Sequence, residues 1–142
     1  PPWRCVGMTS RRSTLIEQGA KELLQVHGFT VRMIPAVGFD KRLPPAHLVA
    51  SHGPDVTRYI KIRKISHVPI AVDMIATKYA VDIVQFRKHI ARHAGESGLR
   101  YEIWVYSLSY GFRCFEVQKD SVKEIPKLSF CHPATPSAGG FA

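Results

Sequence analysis

The chain has 142 residues, 45% of them hydrophobic, and twenty Lys and Arg against eleven Asp and Glu give a formal net charge of +9. That length fits one domain with its own core, and no window is apolar for long enough to span a membrane or to act as a secretory leader. Cys5, Cys114 and Cys131 are too few and too scattered for a disulfide framework, and Cys131 beside His132 lacks the further ligands of a zinc site, so a reducing cytoplasm is expected. The surplus of positive charge favours a polyanionic partner, nucleic acid before an anionic membrane surface.

Residues 1–9 read as an irregular arm. Ile16, Ala20, Leu23 and Leu24, with Leu15 beside them, recur at the helical period and predict a helix over 12–27, capped by Ser10 or Ser13 and closed by Gly28, with Glu17 beside the apolar stripe. Strand formers follow at 29–34. A loop rich in proline covers 35–45, and a short strand is expected over 46–51 before the Gly53-Pro54 turn. Over 59–65 strict alternation puts Tyr59, Lys61, Arg63 and Ile65 on one face, with Ile60, Ile62 and Lys64 on the other.

Residues 66–77 read as irregular because Pro69 interrupts them. A second long helix is expected over 78–94, its apolar face marked by Ala80, Ile83, Val84, Ile90 and Ala91, with Phe86 off that face. A hairpin of 101–106 with 112–117 comes next, then a short helix from Asp120 to Ile125. The segment 131–142, dominated by Pro, Ser, Ala and Gly, reads as a flexible tail. Helices alternating with strands in this order predict an α/β domain, a mixed central sheet flanked by helices.

Two basic clusters stand out. Lys61 and Arg63 share a strand face roughly 7 Å apart and need solvent, a carboxylate or a bound anion. Arg87, Lys88 and Arg92 lie on the second long helix with His89 and His93, whose four-residue spacing suits a metal but lacks the Glu of HExxH and a third ligand. Trp104 and Tyr106 share a hairpin face, where they either pack or stack on bases. No phosphate-loop, dinucleotide or nucleophile-elbow motif is present.

Glu17 with Leu23-Leu24 and His27-Gly28-Phe29, then His47-Leu48-Val49-Ala50, then Tyr59-Ile60-Lys61-Ile62-Arg63 resemble successive segments of the PD-(D/E)XK nuclease superfamily, in particular its archaeal Holliday junction resolvase-like members. The resemblance covers about residues 12–118 and implies a restriction-endonuclease-like domain over 10–130 and a two-fold dimer. Carried over position by position, Glu17 matches the helix carboxylate, whereas His47 stands for the metal-binding Asp, Lys61 for the Glu or Gln, and Arg63 for the catalytic Lys. A second register instead uses Asp55 as a metal ligand, with Ile62 and Lys64 as the final pair; the first is preferred. With two acids replaced, the site positions Glu17, His47, Lys61 and Arg63 are expected to be degenerate, with no bound metal. The expectation is a nucleic-acid-binding domain that contacts DNA or RNA phosphates through Lys61, Arg63, Arg87, Lys88 and Arg92 and does not hydrolyse them. Two alternatives stand beside it: a Mg²⁺- or Mn²⁺-dependent endonuclease or junction resolvase with a rearranged site, and a structural or assembly module.

Overall fold

The computed structural model describes residues 14–34, 43–65 and 71–126. The expected arm and tail and the capping Ser10 and Ser13 lie outside the described residues. Three helices and six strands follow in the order α1 (Leu15–Val26), β1 (Thr30–Met33), β2 (Leu48–His52), β3 (Val56–Lys64), α2 (Val72–Lys78), α3 (Ala80–Arg92), β4 (Leu99–Ser107), β5 (Gly111–Val117) and β6 (Val122–Ile125). The strands form one sheet in sequence order. Every neighbouring pair is antiparallel except β3 and β4. A parallel pair needs a crossover, and the segment carrying α2 and α3 supplies it. The chain is therefore α/β, with a mixed sheet flanked by helices.

Each face of the sheet has its own core. On one, Ala20 and Leu24 of α1 pack on Leu48, Ala50, Ile60, Ile62, Trp104 and Cys114. On the other, Ile75 of α2 with Ile83 and Phe86 of α3 packs on Val49, Tyr101, Ile103, Val105 and Phe115. β4 is covered on both sides, so its residues from Tyr101 to Val105 are all buried and its sequence does not alternate.

Local chemistry fixes the ends of α1. Thr14 is its N-cap, its Oγ1 accepting the Glu17 N–H at 3.0 Å. At the other end Gly28 takes φ +90°, its N–H donates to the Gln25 carbonyl, and Phe29 N–H donates to the Leu24 carbonyl. This is a Schellman closure, with Leu24 and Phe29 in the same core cluster.

Several expectations are corrected. The segment read as irregular contains α2, and the segment read as a short helix, Asp120 to Ile125, contains strand β6, which pairs with β5. Phe86, placed off the apolar face of α3, is fully buried, whereas Val84 is 50% exposed and Ala80 and Ala91 are exposed as well. The inner face of α3 is set by Asp82, Ile83, Phe86 and His89; its two polar members, each held by a specific partner, hid the stripe. Glu17 is likewise on the inner face of α1 with Ala20 and Leu24, not beside it.

Gly98, at the end of the crossover, approaches the β2–β3 turn closely. Its φ is +81°, a Cβ there would sit 2.0 Å from the Asp55 carbonyl oxygen, and its own carbonyl accepts the Thr57 N–H at 2.8 Å. Gly98→Ala is therefore expected to cost about 2–3 kcal/mol, from the left-handed backbone and from separating two hydrogen-bonded segments. Urea denaturation checks this, and a cost under about 0.5 kcal/mol would contradict it.

Candidate nucleic-acid interface

Sequence placed Glu17, His47, Lys61 and Arg63 in one pocket; the structure divides them between the two faces of the sheet. Glu17 projects from α1 onto the face that carries Ile60 and Ile62. His47, just before β2, puts its Nδ1 in place of a ladder carbonyl and accepts the Ile62 N–H at 2.8 Å. The ring proton is then on Nε2, which lies 3.9 Å from Glu17 Oε2. These two residues meet on the α1 side of the sheet.

Lys61 and Arg63 alternate to the opposite face. Arg63 grips Asp82 of α3 with two parallel bonds, Nε to Oδ2 at 2.8 Å and Nη2 to Oδ1 at 2.7 Å, and this pairing raises the guanidinium pKa above its usual value. Lys61 and Arg63 thus lie across the sheet from Glu17. Ile62 and Lys64, the pair of the second register, are the ones that alternate to Glu17's side. Asp55 of that register sits exposed in the β2–β3 turn, at the far end of β2 from His47. One carboxylate and a histidine whose Nε2 carries its proton are a poor donor set for Mg²⁺ or Mn²⁺, which take hard oxygen ligands in octahedral geometry. Among the described residues no three of His, Cys, Asp and Glu gather into a metal-holding group.

The basic residues of α3 also separate. Arg87 points toward the β5–β6 turn and donates to the Gln118 carbonyl at 3.0 Å and the Ser121 carbonyl at 3.3 Å, which makes it a clamp between elements. Lys88 and Arg92 point the other way and are exposed. Together with Gln85 they form one wall of a recess whose other wall is Leu43, Pro44 and Pro45. Among the described residues Lys88 and Arg92 form no ion pair.

The floor beside them is aromatic. His89 Nδ1 lies 2.8 Å from the Tyr101 hydroxyl, Tyr59 stacks on Tyr101, and the His89 and His93 rings stack at 4.2 Å. His93 Nδ1 is 2.5 Å from Glu96 Oε2. Both histidines thus spend a ring nitrogen on a neighbour, and their helical spacing serves packing. Arg32 is exposed on β1 and pairs across the ladder with Val49, whose side chain lies on the α3 side of the sheet.

Burial pushes the Tyr101 hydroxyl up to about 12. A phenol whose folded pKa lies above its unfolded value stays protonated after the unfolded chain has ionised. Its contribution is complete below pH 10 and is lost as pH climbs from there toward 12. Alkaline titration followed by phenolate absorbance should lose a component near pH 12 in Tyr101→Phe; an unchanged titration curve would contradict this.

A buried ion pair escaped sequence reading. Arg58 Nη1 donates to Glu102 Oε2, and Trp104 Nε1 donates to Glu102 Oε1 at 2.9 Å. The signal was available: Arg58 and Glu102 occupy positions whose strand-mates Ile60, Ile62 and Trp104 are apolar, and a charge on such a face calls for a partner. Trp104 is fully buried and packs against Phe112, so it does not serve to stack on bases.

No family model matches the chain, and no curated protein does. Among solved structures it is similar to Hjc, a Holliday junction resolvase from the archaeal hyperthermophile Archaeoglobus fulgidus, at 18% identity and a TM-score of 0.49, with 80% of this chain and 87% of that chain covered. A likeness of that degree transfers no residue role.

Proposed function

We propose that this chain is a cytoplasmic nucleic-acid-binding domain that contacts phosphates through the exposed flank of α3 and does not hydrolyse them. The observation that carries the reading is the pair Lys88 and Arg92, one turn apart, exposed and without an ion pair among the described residues. The net charge of +9 adds long-range attraction to that flank. Arg63 and Arg87 serve mainly as internal ties. The reading without hydrolysis is supported by the donor set at Glu17 and His47: the further acids on that face, Glu102 and Glu116, are bound by Arg58 and Arg100. The nuclease-like ancestry, and any two-fold dimer, rest on the sequence resemblance alone.

Phosphate contacts position a protein without reading sequence, so preference among sequences should be weak. If Arg32, Lys88 and Arg92 each neutralise one phosphate, log affinity for a duplex should fall against log salt with a slope of about −2 to −3. Fluorescence anisotropy of a labelled duplex across a salt series tests this. No binding at low salt would remove the reading, and Mg²⁺-dependent cleavage lost in Glu17→Ala would replace it with a nuclease.

A further inference from the structure

The recess beside α3 differs from its neighbours in chemistry. The recesses beside Glu96, Asp82 and Glu124 each contain a carboxylate along with their cations. Among the described residues, the recess between Leu43–Pro45 and α3 holds Lys88 and Arg92 and no carboxylate. One wall is apolar, with Pro44 buried and Leu43 and Pro45 half-exposed. The opposite wall adds the exposed Gln85 amide, which offers both a donor and an acceptor.

Both walls are held in place. The proline wall leads into His47, whose N–H donates to the Ile60 carbonyl at 2.8 Å. The α3 wall is anchored by His89 on Tyr101 and by Arg63 on Asp82. The site therefore presents a fixed apolar surface, an amide and two phosphate-seeking cations within one recess. A duplex offers phosphates to the cations, but its bases are stacked inside and leave the apolar wall and the amide unused. A single strand can supply both, an unstacked base against Leu43 and Pro45 with its edge toward Gln85, and the flanking phosphates on Lys88 and Arg92.

We infer that the recess takes one unstacked base of single-stranded nucleic acid, so that the chain prefers single strands to duplexes. This rests on the reading of the α3 flank as a phosphate-binding surface. The test is anisotropy of three labelled probes at one salt concentration: a mixed-sequence 12-mer strand, the same strand made abasic throughout, and the corresponding duplex. The intact strand should bind about tenfold more tightly than either of the others, the size expected of partial apolar burial of one base with one net hydrogen bond to Gln85. Gln85→Ala, at an exposed position that leaves the fold intact, should weaken the intact strand severalfold and leave the abasic strand unchanged.

Equal affinity for intact and abasic strands overturns the base site while the phosphate reading stands, provided that Lys88→Ala with Arg92→Ala still weakens both. A duplex bound as tightly as the intact strand overturns it too, as does an equal effect of Gln85→Ala on intact and abasic strands. Failure of all three probes to bind overturns the phosphate reading together with it.

Discussion

Glu102→Ala should destabilise the chain by about 3–5 kcal/mol, because it leaves the Arg58 guanidinium charged in the core without its carboxylate. The side chains of Arg58 and Glu102 are 6% and 0% exposed. Glu102 uses one oxygen for Arg58 and the other for the Trp104 indole N–H. The guanidinium lies over the Phe29 ring, 5.3 Å from its centroid, which offsets part of its own desolvation. Across the sheet Glu102 faces Glu116, which is bound by Arg100 at 3.1 Å. Two acids directly opposite would repel, and two arginines, Arg58 and Arg100, flank and neutralise them. Arg58→Ala should cost a similar amount by stranding the carboxylate. The double change Arg58→Met with Glu102→Leu should cost less than either single change, since no charge is then left buried. A residue of cost, about 1–3 kcal/mol, should remain because the Trp104 N–H loses its acceptor. Urea denaturation of the three variants decides it. A single change costing under about 1 kcal/mol, or a double change costing the sum of the singles, would mean that the pair is not a coupled buried unit.

Lys88→Ala combined with Arg92→Ala should weaken nucleic-acid binding by about 10- to 100-fold at low salt, taking each charged contact at its usual worth. The magnitude of the salt slope should fall by about two, since each lysine or arginine removed leaves one phosphate with its counterions. All sequences should weaken alike. Neither residue is in a core cluster, so stability should be unchanged. The comparison variant is Arg63→Ala. It unpairs the buried Asp82 carboxylate, and its loss should appear chiefly in stability. An equal loss of binding in Arg63→Ala at constant stability would return the interface to the strand face on which sequence placed it.

Legibility in the sequence followed the strength of local periodicity. The first helix and the β3 strand were visible because Ile16, Ala20 and Leu24 keep a helical period and Ile60 and Ile62 alternate strictly. The faces of β3 followed from the same pattern, but the starts did not: α1 begins after a Thr14 cap and β3 begins at Val56, three residues before Tyr59. What local pattern does not carry is which helix covers which face. Lys61 and Arg63 were assigned to Glu17 from a motif register, but α1 packs on Ile60 and Ile62, and that long-range choice sends the two cations to α3. The α3 face was misread for a related reason. Asp82 and His89 are inward because Arg63 and Tyr101 wait for them, and those partners lie far along the chain. β6 is four residues long and becomes a strand by pairing with β5, while α2 turns only Ile75 fully inward. Neither carries a periodic signal of its own. Lys88 and Arg92 stood out in the sequence as basic residues of the second long helix, while the recess they border depends on where Leu43–Pro45 comes to lie.

The most direct test of the α3 flank as the nucleic-acid surface is an amide-resolved NMR titration of the isotope-labelled chain with a short single-stranded oligonucleotide. Saturable shifts should concentrate on Gln85 to Arg92 and on the residues entering β2 from Leu43, with Arg32 included. The β5–β6 turn with its exposed Lys119, and the exposed Lys123 on β6, should stay unperturbed. Shifts confined to that turn, or an unchanged spectrum at millimolar oligonucleotide and low salt, would contradict the account.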